Sequence, residues 1–297
     1  MKQLEIKVGF CVAYDWPLLR YAIPPIYKHA DSICISLDSE RKTWTGNDYE
    51  FDQEAFHSLL KELDPLGKIQ VHKDNFHDSH LTAGQNEVRQ RNKLAETMGS
   101  GGWHIQLDCD EYFLEFEKFV TFLRSQKKAD KRFNVCCPLI TLFKEVDGGF
   151  LYVQPTASDQ LEYIQIATQL PSYHYGRRNG DFNIYTNFLI IHQSWARSEN
   201  EIRQKISNWG HINDFNQEKF MSGWKDLDKS NFVSWKNFHP IAPNIWPKLV
   251  WQPAITIQEF INNLNQNSIP LPTPWKLSLK NSRFISRLLA LLKKLSP

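Results

Sequence analysis

The sequence predicts an α/β protein on a doubly wound, mostly parallel sheet, followed by a small mixed-strand region and a C-terminal amphipathic helix. Three observations predict it. Short apolar runs alternate with helically spaced segments over residues 7–110, so each strand is covered on both faces. A second stretch, 111–194, is richer in strands than in helices. Finally, apolar residues recur at helical spacing near the end, at Phe284, Ile285, Leu288, Leu289, Leu291, Leu292 and Leu295.

In order, residues 8–13 form a continuous apolar run and read as the first strand. Asp15 and Pro17 signal a helix running to about residue 28. The second strand is 32–37, ended by Asp38; an amphipathic helix covers 55–63, and the third strand is 69–71. A helix over 86–98, with Val88, Leu94, Ala95 and Met98 inward, leads to the fourth strand at 103–107. Strand-like runs follow at 134–143, 150–153 and 187–191. Between them, the polar, glycine-punctuated segment 173–181 reads as a mobile loop. Ser198 and Glu201 make a capping box, so a helix starts near 199 with Ile202, Ile206 and Trp209 on one face, while Lys205 reads as surface. Beyond Gly210 little regular structure is expected before the tail. The organisation is therefore 1–215 as the main domain, divided at 110/111, then an aromatic, proline-rich extension 216–275 and a basic tail 276–297.

Composition narrows the classes. With 297 residues, 41% hydrophobic and 23% charged, the chain is a folded globular protein rather than a disordered or fibrous one. The last acidic residue is Glu259, and six basic residues follow it. Removing those six from 35 leaves 29 basic against 33 acidic residues, a body of about −4, which argues against nucleic acid as a partner. The N-terminus lacks the apolar stretch of a secretory signal, and the five cysteines show no CxxC spacing. Reduced thiols and a cytoplasmic location are expected.

The chemistry concentrates at Asp108-Cys109-Asp110-Glu111, where the fourth strand runs out. In extended backbone, residues i and i+2 project to one side, so Asp108 and Asp110 can converge. Carboxylates at one point repel unless a cation lies between them, and a hard divalent ion with open positions for phosphate oxygens suits that place. The alternative is that Asp108 caps the next helix and Asp110 is merely solvated. Ligands of parallel α/β sheets bind outside the carboxyl ends of the strands, which favours the functional reading.

Together with the first strand, 8–14, the run Arg89-Gln90-Arg91-Asn92 and the run His192-Gln193-Ser194-Trp195-Ala196-Arg197-Ser198, this motif resembles the GT-A glycosyltransferases of the family 2-like group over roughly residues 5–215. The resemblance implies a nucleotide-sugar donor, a UDP-sugar, and a glycan or lipid-linked glycan acceptor, with region 111–215 on the acceptor side. It implies a donor site of Ala13, Tyr14, Asp38, Arg89, Asn92, Asp108 and Arg197, with Asp38 open to the alternative of a turn aspartate. It implies Mn2+ or Mg2+ on Asp108, Asp110 and His192, with an inverting reaction. The acidic dipeptide expected about 90 residues beyond the motif is missing, so Asp181, Asp159 and Glu162 stand as alternative bases. Rival readings are a nucleotidyltransferase, against which the absence of glycine in residues 12–16 counts, and a noncatalytic carbohydrate-binding protein. The tail, 282–295, reads as a basic amphipathic helix that either lies on an anionic membrane at its cytoplasmic face or packs on the body or on a second copy.

Overall fold

Seven buried residues, Ile6–Val12, make strand β1, and the chain builds outward from it. We describe a computed structural model of the chain over residues 4–126, 132–208, 215–242 and 245–285. A single helical turn at Trp16–Leu18 and two short helices, α1 (Leu19–Ala22) and α2 (Pro24–Tyr27), lead to β2 (Ser32–Asp38). Helix α3 (Gln53–Leu63) begins where the Asp52 side chain accepts from Ala55 N, and β3 (Ile69–Asp74) follows. Helix α4 (Ala83–Thr97) starts at a Thr82–Gln85 capping box and runs to β4 (Trp103–Asp108). These four strands pair in the order β4-β1-β2-β3, all parallel, the doubly wound α/β arrangement the sequence predicts. Gly9 lies where α4 crosses β1: a Cβ there would come within 2.7 Å of Met98 Sδ and 2.9 Å of Leu94 Cδ2. The missing side chain lets the helix sit directly on the strand.

The second half is mixed. Strand β5 (Glu111–Phe113), helix α5 (Phe116–Ser125), the long β6 (Phe133–Val146), β7 (Gly149–Val153), β8 (Glu162–Thr168), β9 (Phe182–Tyr185) and β10 (Ile190–His192) follow in turn. β8 joins the halves by pairing antiparallel with both β4 and β6, and β10 lies between β5 and β6. Helix α6 (Glu199–Asn208) carries the predicted capping box, since Glu201 Oε2 accepts from Ser198 N at 2.9 Å.

Beyond residue 215 the structure departs from expectation. Helix α7 (Gln217–Asp226), strand β11 (Leu249–Pro253) and helices α8 (Ile257–Asn263) and α9 (Pro274–Lys280) are regular. β11 extends the sheet by pairing with β7, so the extension belongs to the same body. Two of its tryptophans are core: Trp224 and Trp246 pack with Trp195, Phe143 and Ile202 in a second apolar cluster. Trp246 buries from irregular chain and carries no period, and α7 buries only Met221 and Trp224, too few to show one. The predicted tail helix lies outside the described residues after Ile285.

Candidate active site

A cavity of about 1120 Å³ opens at the carboxyl ends of β1, β2 and β4. Ala13, Tyr14, Asp38, Asp108, Asp110, His192 and Arg197 all line it, as do Asp159 and Glu162 from the β7–β8 connection and β8. Asp108 and Asp110 therefore reach one space, but β4 ends at Asp108 and residues 109–110 form a turn, so the turn and not strand alternation brings them together. Four cations meet them. Arg91 Nη2 donates to Asp108 Oδ1 at 2.9 Å, and Arg177 Nη2 lies 3.6 Å from Asp108 Oδ2. Asp110 Oδ2 accepts from Arg197 Nη2 and from Lys205 Nζ at 3.2 Å, with His192 Nε2 at 3.6 Å.

Burial alone would push both carboxyls up. Lys205, His192 and Arg197 outweigh it at Asp110, holding that carboxyl well below the usual range, and Arg91 and Arg177 hold Asp108 below it too. Asp15, 3.9 Å from Arg197, shifts the other way because burial prevails. Lys205 is pushed down by its own burial, against the pull of Asp110.

Several of these residues escaped the sequence reading. Arg177 arrives from the segment expected to be mobile, which is in fact anchored: Asn92 exchanges two hydrogen bonds with the Tyr173 backbone, and Asn179 pairs with Asn134. Its guanidinium grips the buried Glu111 with both nitrogens, at 2.7 and 2.6 Å, and donates to the Gln106 carbonyl at 2.9 Å. Nothing in a run of Gly, Arg and Asn signals that. Lys205 faces the cavity, not the surface, because it lies three residues beyond the buried Ile202 on α6 and shares its side of the helix.

The arginine assignment on α4 also changes. Gly84, Glu87 and Arg91, spaced by three and four, share the face toward the cavity, whereas Arg89 and Asn92 are absent from its lining. Glu87 Oε1 accepts from Arg91 Nε at 2.9 Å, and the buried Arg91 Nη1 has no protein partner. Asn92 holds the 173–181 loop instead. Asp38 is taken up by the backbone: Oδ1 accepts from Glu40 N and Lys42 N, and Oδ2 from Phe76 N and His77 N. It shapes the wall as the turn aspartate of the alternative reading. Asp181 does not line the cavity; it precedes β9 and pairs with Arg132 at 3.0 Å.

Two carboxylates and an imidazole are suitable donors for Mn2+ or Mg2+. The cavity lining also carries eight acidic against six lysine or arginine side chains, so an anionic ligand there needs added positive charge. Among the described residues, however, no three His, Cys, Asp or Glu side chains are drawn together around one point. Asp110 Oδ2 belongs to Arg197 and Lys205, and an ion on Asp110 has to contend with them.

No family model and no curated protein matches the chain. Among solved structures it is similar to GalNAc-T7 with UDP, GalNAc and Mn2+, at 10% identity and a TM-score of 0.38, covering 76% of this chain and 52% of that one. It is also similar to S. aureus TarS 1–349, at 11% identity and 0.30, covering 49% and 37%. A third is 4-diphosphocytidyl-2C-methyl-D-erythritol synthase, at 12% and 0.33, covering 55% and 74%. The chain thus spans about half the length of the first of these. Each of these likenesses is partial, with a TM-score below 0.5.

Proposed function

We propose that the chain is a glycosyltransferase that moves a hexose from a nucleotide-sugar donor, a UDP-sugar, to a glycan or lipid-linked glycan acceptor with inversion. The observation that carries this reading is the meeting of the Asp108–Asp110 pair with Arg91, Arg177, Arg197 and Lys205 in one cavity at the ends of parallel strands. Breaking the bond from the anomeric carbon to the diphosphate puts the bonding electrons on the leaving oxygen. Preorganised positive charge there stabilises the transition state more than the ground state.

Ala13 and Tyr14 wall the nucleoside end, and Arg91 and Arg197 face the diphosphate. Asp108, Asp110 and His192 would hold Mn2+ or Mg2+, which supplies further positive charge to the leaving group. The lobe formed by Leu161, Tyr163 and Trp246 takes the acceptor. Asp159 or Glu162 in that lobe accepts the hydroxyl proton as the new C–O bond forms; Asp181, paired with Arg132, is not in the lining.

Attachment at the cytoplasmic face of an anionic membrane is part of the same reading. It is supported by exposed Trp275, Leu279 and Phe284 beside Lys276 and Arg283. Among the described residues no helix is long and apolar enough to cross a membrane. A thermal-shift screen of nucleoside diphosphates and sugar nucleotides, with and without Mn2+, tests the donor assignment. A melting temperature unmoved by every one of them would overturn it.

A further inference from the structure

Asp110 is held by two cations of different mobility. Arg197 is fixed: it is buried, its Nε donates to the Gln193 carbonyl at 3.2 Å, and its Nη2 lies between Asp110 and Asp15. Lys205 reaches Asp110 Oδ2 at 3.2 Å and Ser194 Oγ at 3.0 Å on a flexible four-carbon stem. The stem's base is steady, because Asn208, at the end of α6, accepts hydrogen bonds from Thr43, Thr45 and Asn47. The ammonium can thus swing away while its helix stays in place. Two cations on one carboxylate oxygen repel strongly in a partly desolvated cavity.

We propose that Lys205 is the protein's own counter-cation on Asp110 and competes with a divalent ion for that carboxylate, so that one displaces the other. The proposal rests on the reading of the cavity as a nucleotide-sugar site that takes Mn2+ or Mg2+. It assigns Lys205 two tasks: keeping the buried Asp110 paired, and setting how tightly an ion binds. Once displaced, the ammonium remains in the cavity wall, where it meets a diphosphate. Ion and nucleoside diphosphate therefore favour each other's binding, and by linkage the effect is reciprocal.

The test is Mn2+ alone, titrated into the full chain without nucleotide and read as free Mn2+ by electron paramagnetic resonance. Lys205→Gln should bind Mn2+ roughly tenfold more tightly than wild type, since it removes a competing charge about one ion-pair distance away. Lys205→Arg keeps the charge and should bind no more tightly than wild type. Lys225→Gln on α7 controls for bulk charge and should stay within about twofold. Unchanged or weaker Mn2+ binding by Lys205→Gln overturns the proposal, as does tighter binding by Lys205→Arg, which decides the matter if Lys205→Gln does not fold. Absence of Mn2+ binding by every form also overturns it. UDP added in excess chelator separates this failure from failure of the donor reading: a raised melting temperature there leaves the nucleotide site standing.

Discussion

Arg177→Met should destabilise the fold by about 3–5 kcal/mol, because it strands a buried carboxylate. The Glu111 side chain is only 1% exposed, and both its oxygens are held by Arg177. Methionine fills much of the same volume, so the cost comes from the uncompensated charge rather than a cavity. For a chain of 297 residues this is a fall in melting temperature of about 5–8 °C. The double variant Arg177→Met/Glu111→Gln removes the stranded charge as well and should recover at least about half of the loss. Urea unfolding of wild type, both single variants and the double variant measures the cycle. An Arg177→Met protein within about 1 kcal/mol of wild type would show that the pair is solvated in solution and that the 173–181 loop is not anchored by it.

Arg91→Met should weaken UDP binding at least about tenfold, whereas Arg89→Met should leave it within about twofold, as measured by calorimetry; equal losses would return the diphosphate contact to Arg89. Asp108 and Asp110 both titrate below the usual carboxylate range. Their contribution to stability is therefore full above about pH 4 and is lost as pH falls through their folded values. Melting temperatures should drop more steeply below about pH 4 in wild type than in Asp110→Asn, and identical acid slopes would contradict the ion-pair account. Trp275→Ala/Phe284→Ala should reduce cosedimentation with anionic liposomes while sparing UDP binding; unchanged cosedimentation leaves those exposed side chains to packing between copies.

The parts of the fold legible in the sequence are those in which burial has a period. The parallel strands are covered on both faces and read as apolar runs, so β1, β2 and β4 were visible, and with them the place where Asp108 and Asp110 end a strand. The amphipathic phase of α4 is also visible in Leu94 and Ala95, but the side of the helix on which its polar residues work is not. A four-residue run of Arg, Gln, Arg and Asn holds candidates on several faces, and only the packed helix selects Arg91 through Glu87 and Gly84. Regions that bury through irregular chain and aromatic edges, such as Trp246 against Phe238 and His239, have no period to read.

Two of the four cations of the site, Arg177 and Lys205, lie outside every motif in the sequence. Arg177 meets Glu111 across 66 residues and Lys205 meets Asp110 across 95. An aspartate pair invites the expectation of a metal because the sequence shows the negative charges side by side and hides the positive ones that fold onto them. Asp110 is stable in its buried place because protein cations already face it, and this is also why an ion's affinity there is a difference between two competing attractions. On the proposed reading, the grip of the site on a divalent ion would be set at Lys205 as much as at the carboxylates themselves.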